Sequence, residues 1–329
     1  DRLTFPAEGL RLYTDRPGSV AVVNAAGLID APGFYAVLEP GRAVAWLRGP
    51  PAAPGLTIGS GRRGIDIKGR SDVVIRGFVF EHFVAGKYGE GIMLMNSGGV
   101  SSRALIQRNT FRESALYANV GAMLVGKMDR ARIEGNAFTN LERGSGIRTN
   151  LKPVTNLEII GNSFTNLGKT GILVMGSSDV TIAQNTMDGL YGIHGNGLSL
   201  YLDNRRVNVS GNRIVNASRP VTFHGEDKSD SPGDHDLTFQ RNFFATTHEP
   251  AGAIISYGKA RGVTIADNVL IGPKLGLILS ARDSKVVVTN NHTSGIATKG
   301  EQPADWIVKD NRGVSKAERA SVTAQPAKK

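Results

Sequence analysis

Four short phrases of this 329-residue chain carry side chains that could exchange protons or hold an anion: Arg148-Thr-Asn150, Ser199-Leu-Tyr201, Thr222-Phe-His224 and Ile255-Ser-Tyr257. Within each, the outer residues stand two apart, so on an extended strand they project from one face. A guanidinium or an amide can neutralise a carboxylate, and a phenol and an imidazole can take up and deliver protons. These are the groups needed to withdraw the C5 proton of a uronic acid residue and protonate the leaving oxygen, a β-elimination. On this reading Tyr201 and His224 are the candidate base and acid. Arg148 and Asn150 bind the carboxylate, and Ser199 and Tyr257 contact the sugar. The alternative is that Tyr201 and Tyr257 only stack on sugar rings or fill surface.

Other residues join these. His194, in the glycine-rich Tyr191-Gly-Ile-His-Gly-Asn196-Gly197, either overhangs the second phrase or caps a turn. Asn196, Lys152 and Lys259 are further candidate contacts to substrate, and Glu90 is a contact or an acid. Paired carboxylates would give the rival chemistry of a glycoside hydrolase, with Asp203 opposite Glu226 or Asp227. The oxygen-rich stretch from His224 to Asp236 offers Asp230, Asp234 and Asp236 as Ca²⁺ ligands, although the spacing is not that of an EF-hand. A solvated acidic turn is the alternative there, and no other cofactor is called for.

The elements that position these groups come from a repeat. One phrase, apolar-x-apolar-x-x-Asn-x-apolar, recurs with its asparagine at 109, 136, 162, 185, 212, 242, 268, 291 and 311. A period of roughly 20–30 residues is that of a solenoid. A second phrase, Gly-apolar-x-apolar, begins at Gly64, Gly91, Gly146, Gly171, Gly197 and Gly276. Both alternate with period two and are too short for helices, so each repeat holds three short strands. Stacked turn on turn, equivalent strands pair in parallel. The asparagines are read as corner residues near the left-handed backbone region, with side-chain amides bonded from turn to turn as a ladder. Counting from the glycine, Gly+2 and Gly+4 point outward: Asp66, Met93, Met123, Arg148, Leu173, Ser199, Thr222, Ile255 and Ile278 form one column. Lys68, Met95, Val125, Asn150, Met175, Tyr201, His224, Tyr257 and Ser280 form the other.

Residues 1–60 lack the repeat. Gly33–Leu38 and Ala43–Leu47, joined through Pro40-Gly41, predict a β-hairpin that could cover an open solenoid end. The solenoid is expected over 61–312 in about ten coils, and 313–329 as a disordered tail. There is no cysteine, hence no disulfide and no thiolate metal site. No apolar run is long enough to span a bilayer. The net charge of +10 favours anionic partners. Only Arg62-Arg63, Arg205-Arg206 and Lys328-Lys329 are adjacent basic pairs, which points away from nucleic acid.

With these phrases in view, residues 60–312 resemble the pectate-lyase-like right-handed parallel β-helix superfamily of polysaccharide lyases, uronan epimerases and glycoside hydrolases. Phe34-Tyr35, Gly41 and Trp46 are similar to the segment preceding the helix in many bacterial members. The resemblance implies an all-β solenoid whose substrate groove runs along the Gly-apolar stack. The chain lacks the Asp-Pro-His-Asp of the mannuronan epimerases and the Arg-x-Pro-x-x-Arg of pectate lyases, so its chemistry has to come from its own side chains. The expectation is an exported, secreted or periplasmic, monomeric enzyme that cleaves an acidic polysaccharide by β-elimination. A glycoside hydrolase and a non-catalytic polysaccharide-binding β-helix are the alternatives, the latter favoured by apolar residues in the outward columns.

Overall fold

The computed structural model describes residues 64–323, apart from 86–90, 96–98, 117–120, 150–153, 193, 226–232 and 249–251, together with four short strands ahead of them. The chain divides into two compact units, Asp1–Ile58 and Gly59–Lys329. In the first, Leu12–Tyr13 pairs antiparallel with Ala21–Val22, and Tyr35–Glu39 with Arg42–Ala45. The second of these pairs is the predicted hairpin.

The larger unit is a parallel β-solenoid of three sheets. Sheet I holds the Gly-apolar strands, from Ile65–Asp66 to Ile296–Lys299. Sheet II holds the strands that lead to the asparagine, from Val74–Arg76 to Ile307–Lys309. Sheet III holds those that follow it, from Val79–Glu81 to Arg312–Gly313. Taking one strand from each sheet gives ten levels, coils 1–10, and eight of them lie between two others. Among the described residues no helix is long and apolar enough to cross a membrane.

The alternation of apolar residues dictates which side of each strand is core. Ile147, Ile172, Leu198, Val221, Ile254 and Leu277 of sheet I face Ile133, Ile159, Ile182 and Val209 of sheet II in one continuous cluster. Sheet III adds Phe80, Phe111, Phe138 and Phe164, whose rings stack coil on coil with centroids 4.7–5.0 Å apart. This column explains the glycine that opens the sheet I strands. A Cβ at Gly146 would meet the Phe164 ring at 2.7 Å, and one at Gly197 would meet Ile214 Cγ2 at 2.4 Å.

All nine asparagines form the ladder at the corner between sheets II and III. From Asn136 on, each Oδ1 accepts the backbone N–H and the Nδ2 of the asparagine one coil before, as Asn162 does from Asn136 at 2.9 and 3.0 Å, while Asn109 Oδ1 accepts the Phe78 N–H at 3.0 Å. The last rung is Asn311, which accepts from Asn291. One expectation needs correction: the asparagine is not the left-handed residue. Positive φ belongs to its predecessor, as at Arg108, Gly135, Gly161, Gln184, Arg241 and Asp267. That exposed residue turns the chain, leaving the asparagine in an ordinary conformation that aims its amide inward.

The expected tail also differs. Sheet III ends on Arg312–Gly313, and Lys316–Thr323 forms a helix, α1. Its start is a capping box: Ser315 N–H donates to Glu318 Oε2 at 2.6 Å, and Glu318 N–H donates to Ser315 Oγ at 3.1 Å. Val322 packs with Val215, Ala245 and Ile271 on the outer side of sheet III. The apolar anchor and the cap together keep this segment helical. Residues 324–329 lie outside the described residues.

Candidate functional site

Sheet I presents its outward residues in two columns, and the pairing corrects their composition. Gly121 lies opposite Ser145, not Gly146, so Leu124 pairs with Arg148 and Val125 with Thr149. Met93, Met95, Met123 and Val125 therefore point into the core. In coils 2 and 3 every strand residue is apolar, so alternation carried no register, and the glycine used to align them is displaced by one. Lys68 lies beyond its strand, exposed and at positive φ. From coil 4 onward the predicted columns hold: Arg148, Leu173, Ser199, Thr222, Ile255 and Ile278 in one, and Met175, Tyr201, His224, Tyr257 and Ser280 in the other.

The centre of this face is a hydroxyl and amide cluster flanked by rings. Asn196 Nδ2 donates to Ser199 Oγ at 2.9 Å, and Ser199 Oγ lies 2.9 Å from Thr222 Oγ1. All three residues are buried. Asn196 Oδ1 is buried too and accepts no hydrogen bond. Beside them Tyr201 and His224 sit opposite each other on paired strands, ring centroids 4.1 Å apart. His224 then meets Tyr257 edge-on at 5.6 Å, and Lys299 Nζ stands 4.6 Å from the centre of the Tyr257 ring.

Cations stand on the sheet I strands and just ahead of them as well, at Arg148, Lys169 and Arg219. Arg148 and Lys169 are only 7% and 8% exposed. Burial, then the Arg148 charge, brings the Lys169 ammonium down to about 8. The imidazole of His194, partly open to solvent, is also held below its ordinary value, first by desolvation and then by Lys169 and Arg219. Lys169 and Arg219 were not among the predicted residues. Lys169 falls in the turn ahead of its strand and Arg219 opens one, and neither belongs to a repeat phrase.

The remaining predicted residues are dispersed. Asp203 lies at the far corner of sheet I, at positive φ, where its Oδ1 accepts the Gly233 N–H at 3.0 Å. Lys259 stands two coils on at the same corner, also at positive φ. Asp234 lies inside the same corner. It is fully buried, its Oδ1 accepts the Asn204 N–H at 2.8 Å, and Asn204 in turn accepts the Ser177 N–H at 3.1 Å. This is a second polar ladder, between sheets I and II. Burial raises the Asp234 carboxyl to about 6. Asp236 is on the exposed side of sheet II. Among the described residues no three His, Cys, Asp or Glu side chains are grouped to hold a metal. Glu90, Asn150, Lys152, Glu226, Asp227 and Asp230 lie outside the described residues. A cleft of about 510 Å³ lined by Asp267, Val269, His292, Asp310 and Arg312 lies on the asparagine corner near the last coil and gathers none of the predicted site residues.

No curated protein sequence matches the chain. Among solved structures, the catalytic unit of an α-1,3-glucanase from Streptomyces thermodiastaticus is 14% identical, covering 68% of this chain and 48% of its own, with a TM-score of 0.45. A tailspike protein of an E. coli bacteriophage is 12% identical over 73% of this chain and 47% of its own, TM-score 0.49. The mannuronan C-5 epimerase A-module of Azotobacter vinelandii is 13% identical over 73% of this chain and 87% of its own, TM-score 0.38. The chain thus spans about half of the glucanase and of the tailspike. These likenesses concern the fold. The profile of the right-handed beta helix region matches residues 90–293, more than half of the chain. The chain belongs to the right-handed β-helix family.

Proposed function

We propose that this β-helix protein is an exported enzyme that cleaves an acidic, uronic-acid-containing polysaccharide by β-elimination on the face of sheet I. One observation carries the reading: Tyr201 and His224 are ring against ring on adjacent coils, beside Ser199 and Thr222. Among the described residues, the outward columns from Arg148 to Lys299 contain no Asp or Glu. A hydrolase needs two carboxylates flanking the bond, whereas elimination needs a base, an acid and a group that stabilises the charge developing on the substrate carboxylate.

The step balances within the substrate. His224 suits the base and Tyr201 the acid, the reverse of the order read from the sequence, because a neutral imidazole has a lone pair to take a proton and a phenol has a proton to give. His224 takes the C5 proton, the electron pair left at C5 forms the C4–C5 double bond, the C4–O bond breaks, and the leaving oxygen takes the Tyr201 proton. The Asn196, Ser199 and Thr222 cluster beside the two rings offers hydrogen bonds to the carboxylate as the C5 proton leaves, and Arg148, two coils from Tyr201, holds a carboxylate further along the polymer. Incubation with a panel of acidic and neutral polysaccharides tests this, following new reducing ends and near-ultraviolet absorbance of an unsaturated product in parallel. Both should rise on a uronic acid polymer. Reducing ends without absorbance would replace elimination by hydrolysis and move attention to Asp203, Glu226 and Asp227. Silence in both would favour a binding protein.

A further inference from the structure

We infer that Tyr257 and Lys299 form a binding subsite for the uronate residue next to the one that reacts, a ring that carries the sugar and an ammonium that takes its carboxylate. The inference rests on reading sheet I as the glycan-binding face. It adds Lys299, which the sequence did not single out, and gives the substrate chain a direction beyond the reaction pair.

Tyr257 follows the sheet I strand Ile254–Ser256 on coil 8, and Lys299 ends the strand Ile296–Lys299 on coil 10. Coil 9 lies between them and offers Ser280, the residue paired with Lys299. The serine is small, so the lysine stem can run back across coil 9 and bring Nζ to 4.6 Å from the centre of the Tyr257 ring. Attraction between a cation and the electron-rich ring holds this flexible stem in place. The contact occupies one side of the ammonium and leaves N–H donors for an oxygen. Among the described residues no carboxylate pairs with Lys299. Tyr257 is still 43% exposed with the lysine beside it.

The subsite continues the reaction pair at the step of a sugar chain. His224 and Tyr257 stand on adjacent coils with ring centres 5.6 Å apart. That is about one strand spacing, and close to the length of one sugar residue in a glycan. A chain with one residue at Tyr201 and His224 therefore sets the next against Tyr257. The floor beside that ring is apolar: Ile255 is followed in its column by Ile278 and Ala297. A phenol ring and an apolar floor suit the C–H face of a pyranose. Among the described residues the outward positions of coils 8–10 hold no Asp or Glu, so the charge that answers Lys299 has to come with the ligand. A neutral glycan would use the ring alone. A sugar that bears a carboxylate uses both ring and ammonium.

The test is calorimetric titration of the full chain carrying Tyr201→Phe, which keeps the ring and removes the proton donor. The ligands are tetrasaccharides of galacturonate, mannuronate and guluronate, and the methyl ester of each. At least one polyuronate should bind. In that background Lys299→Met should weaken it by about tenfold, the loss of one charge-assisted contact, and leave the weaker binding of its ester unchanged. Lys299→Arg should retain most of the affinity, separating lost charge from lost folding. Tyr257→Ala should weaken acid and ester alike, and Tyr257→Phe neither. Polyuronate binding indifferent to Lys299→Met, an equal loss for acid and ester, or no polyuronate binding at all would overturn the subsite. Turnover is followed separately with Tyr201 in place. Polyuronate held through Lys299 but never cleaved would refute elimination and leave the subsite standing, whereas cleavage with a KM that Lys299→Met does not raise would overturn the subsite and leave elimination standing.

Discussion

Replacing Asn185 by alanine should cost far more than the same change at Asn311, although both are rungs of one ladder. Asn185 is fully buried between two coils. Its Oδ1 accepts the Asn162 N–H at 2.9 Å and Asn162 Nδ2 at 3.0 Å, and its own Nδ2 donates to Ile159 O at 2.9 Å and Asn212 Oδ1 at 3.0 Å. Asn162 Nδ2 keeps Ile133 O, and Asn212 Oδ1 keeps the N–H of residue 185. The Asn162 N–H loses the acceptor it has here. An orphaned buried N–H costs roughly 1–3 kcal/mol, and the other three lost bonds roughly 0.5–1.5 kcal/mol each, so a total of about 2.5–7.5 kcal/mol is expected. Asn311 has a coil on one side only, and its Nδ2 bond to Lys309 O is exposed. Water can replace its partners, and about 1 kcal/mol is expected. Guanidinium unfolding of both variants reads the difference. Hydrogen exchange at Asn162 and Asn291 locates it, since a solenoid can open coil by coil. Equal destabilisation by the two substitutions would refute the claim that buried backbone satisfaction, and not mere side-chain packing, is what the ladder supplies.

Other consequences can be read in the same protein. Gln184 is exposed at φ 56°, so Gln184→Gly should raise stability by about 0.5–1 kcal/mol in the same unfolding assay. Asp234 has its carboxyl raised from 3.8 to about 6 by burial. Its ionisation therefore lowers stability above pH about 6, and the loss is relieved as pH falls from about 6 toward 3.8. Asp234→Asn should stabilise at pH 8 by up to roughly 2–3 kcal/mol and remove that part of the pH dependence seen in thermal melts. Tyr201→Phe and His224→Ala should each reduce turnover by about 10²-fold or more with little change in binding. A comparable loss of affinity would make the pair a sugar platform.

The fold was largely legible because its signal is repeated. A buried asparagine that must satisfy its neighbour one coil away cannot drift in sequence, and nine copies gave the corner and the three-strand period. What failed was local. In coils 2 and 3 the strands Gly91–Met95 and Gly121–Val125 are apolar on both faces, so only the neighbouring coil sets which side is core. The second ladder was invisible because its acceptors, Asn204 and Asp234, share a hydrogen-bonding role but no residue type. α1 was hidden by a polar surface, its few anchors being Val322, Glu318 and the Ser315 cap. At the site, the outward strand residues from coil 4 onward followed from period two. Lys169, in a turn, and Arg219, first in its strand, belong to no repeat phrase, so nothing in the period marked them.

The most direct measurement is a crystal structure of the His224→Ala variant with a polyuronate tetrasaccharide. The sugar chain should lie along sheet I across coils 4–8, with a carboxylate at Arg148 and the C5–H of one residue facing position 224 and Tyr201. An ordered oligosaccharide on sheet II or III, or in the cleft beside His292, would contradict the assignment of sheet I as the functional face.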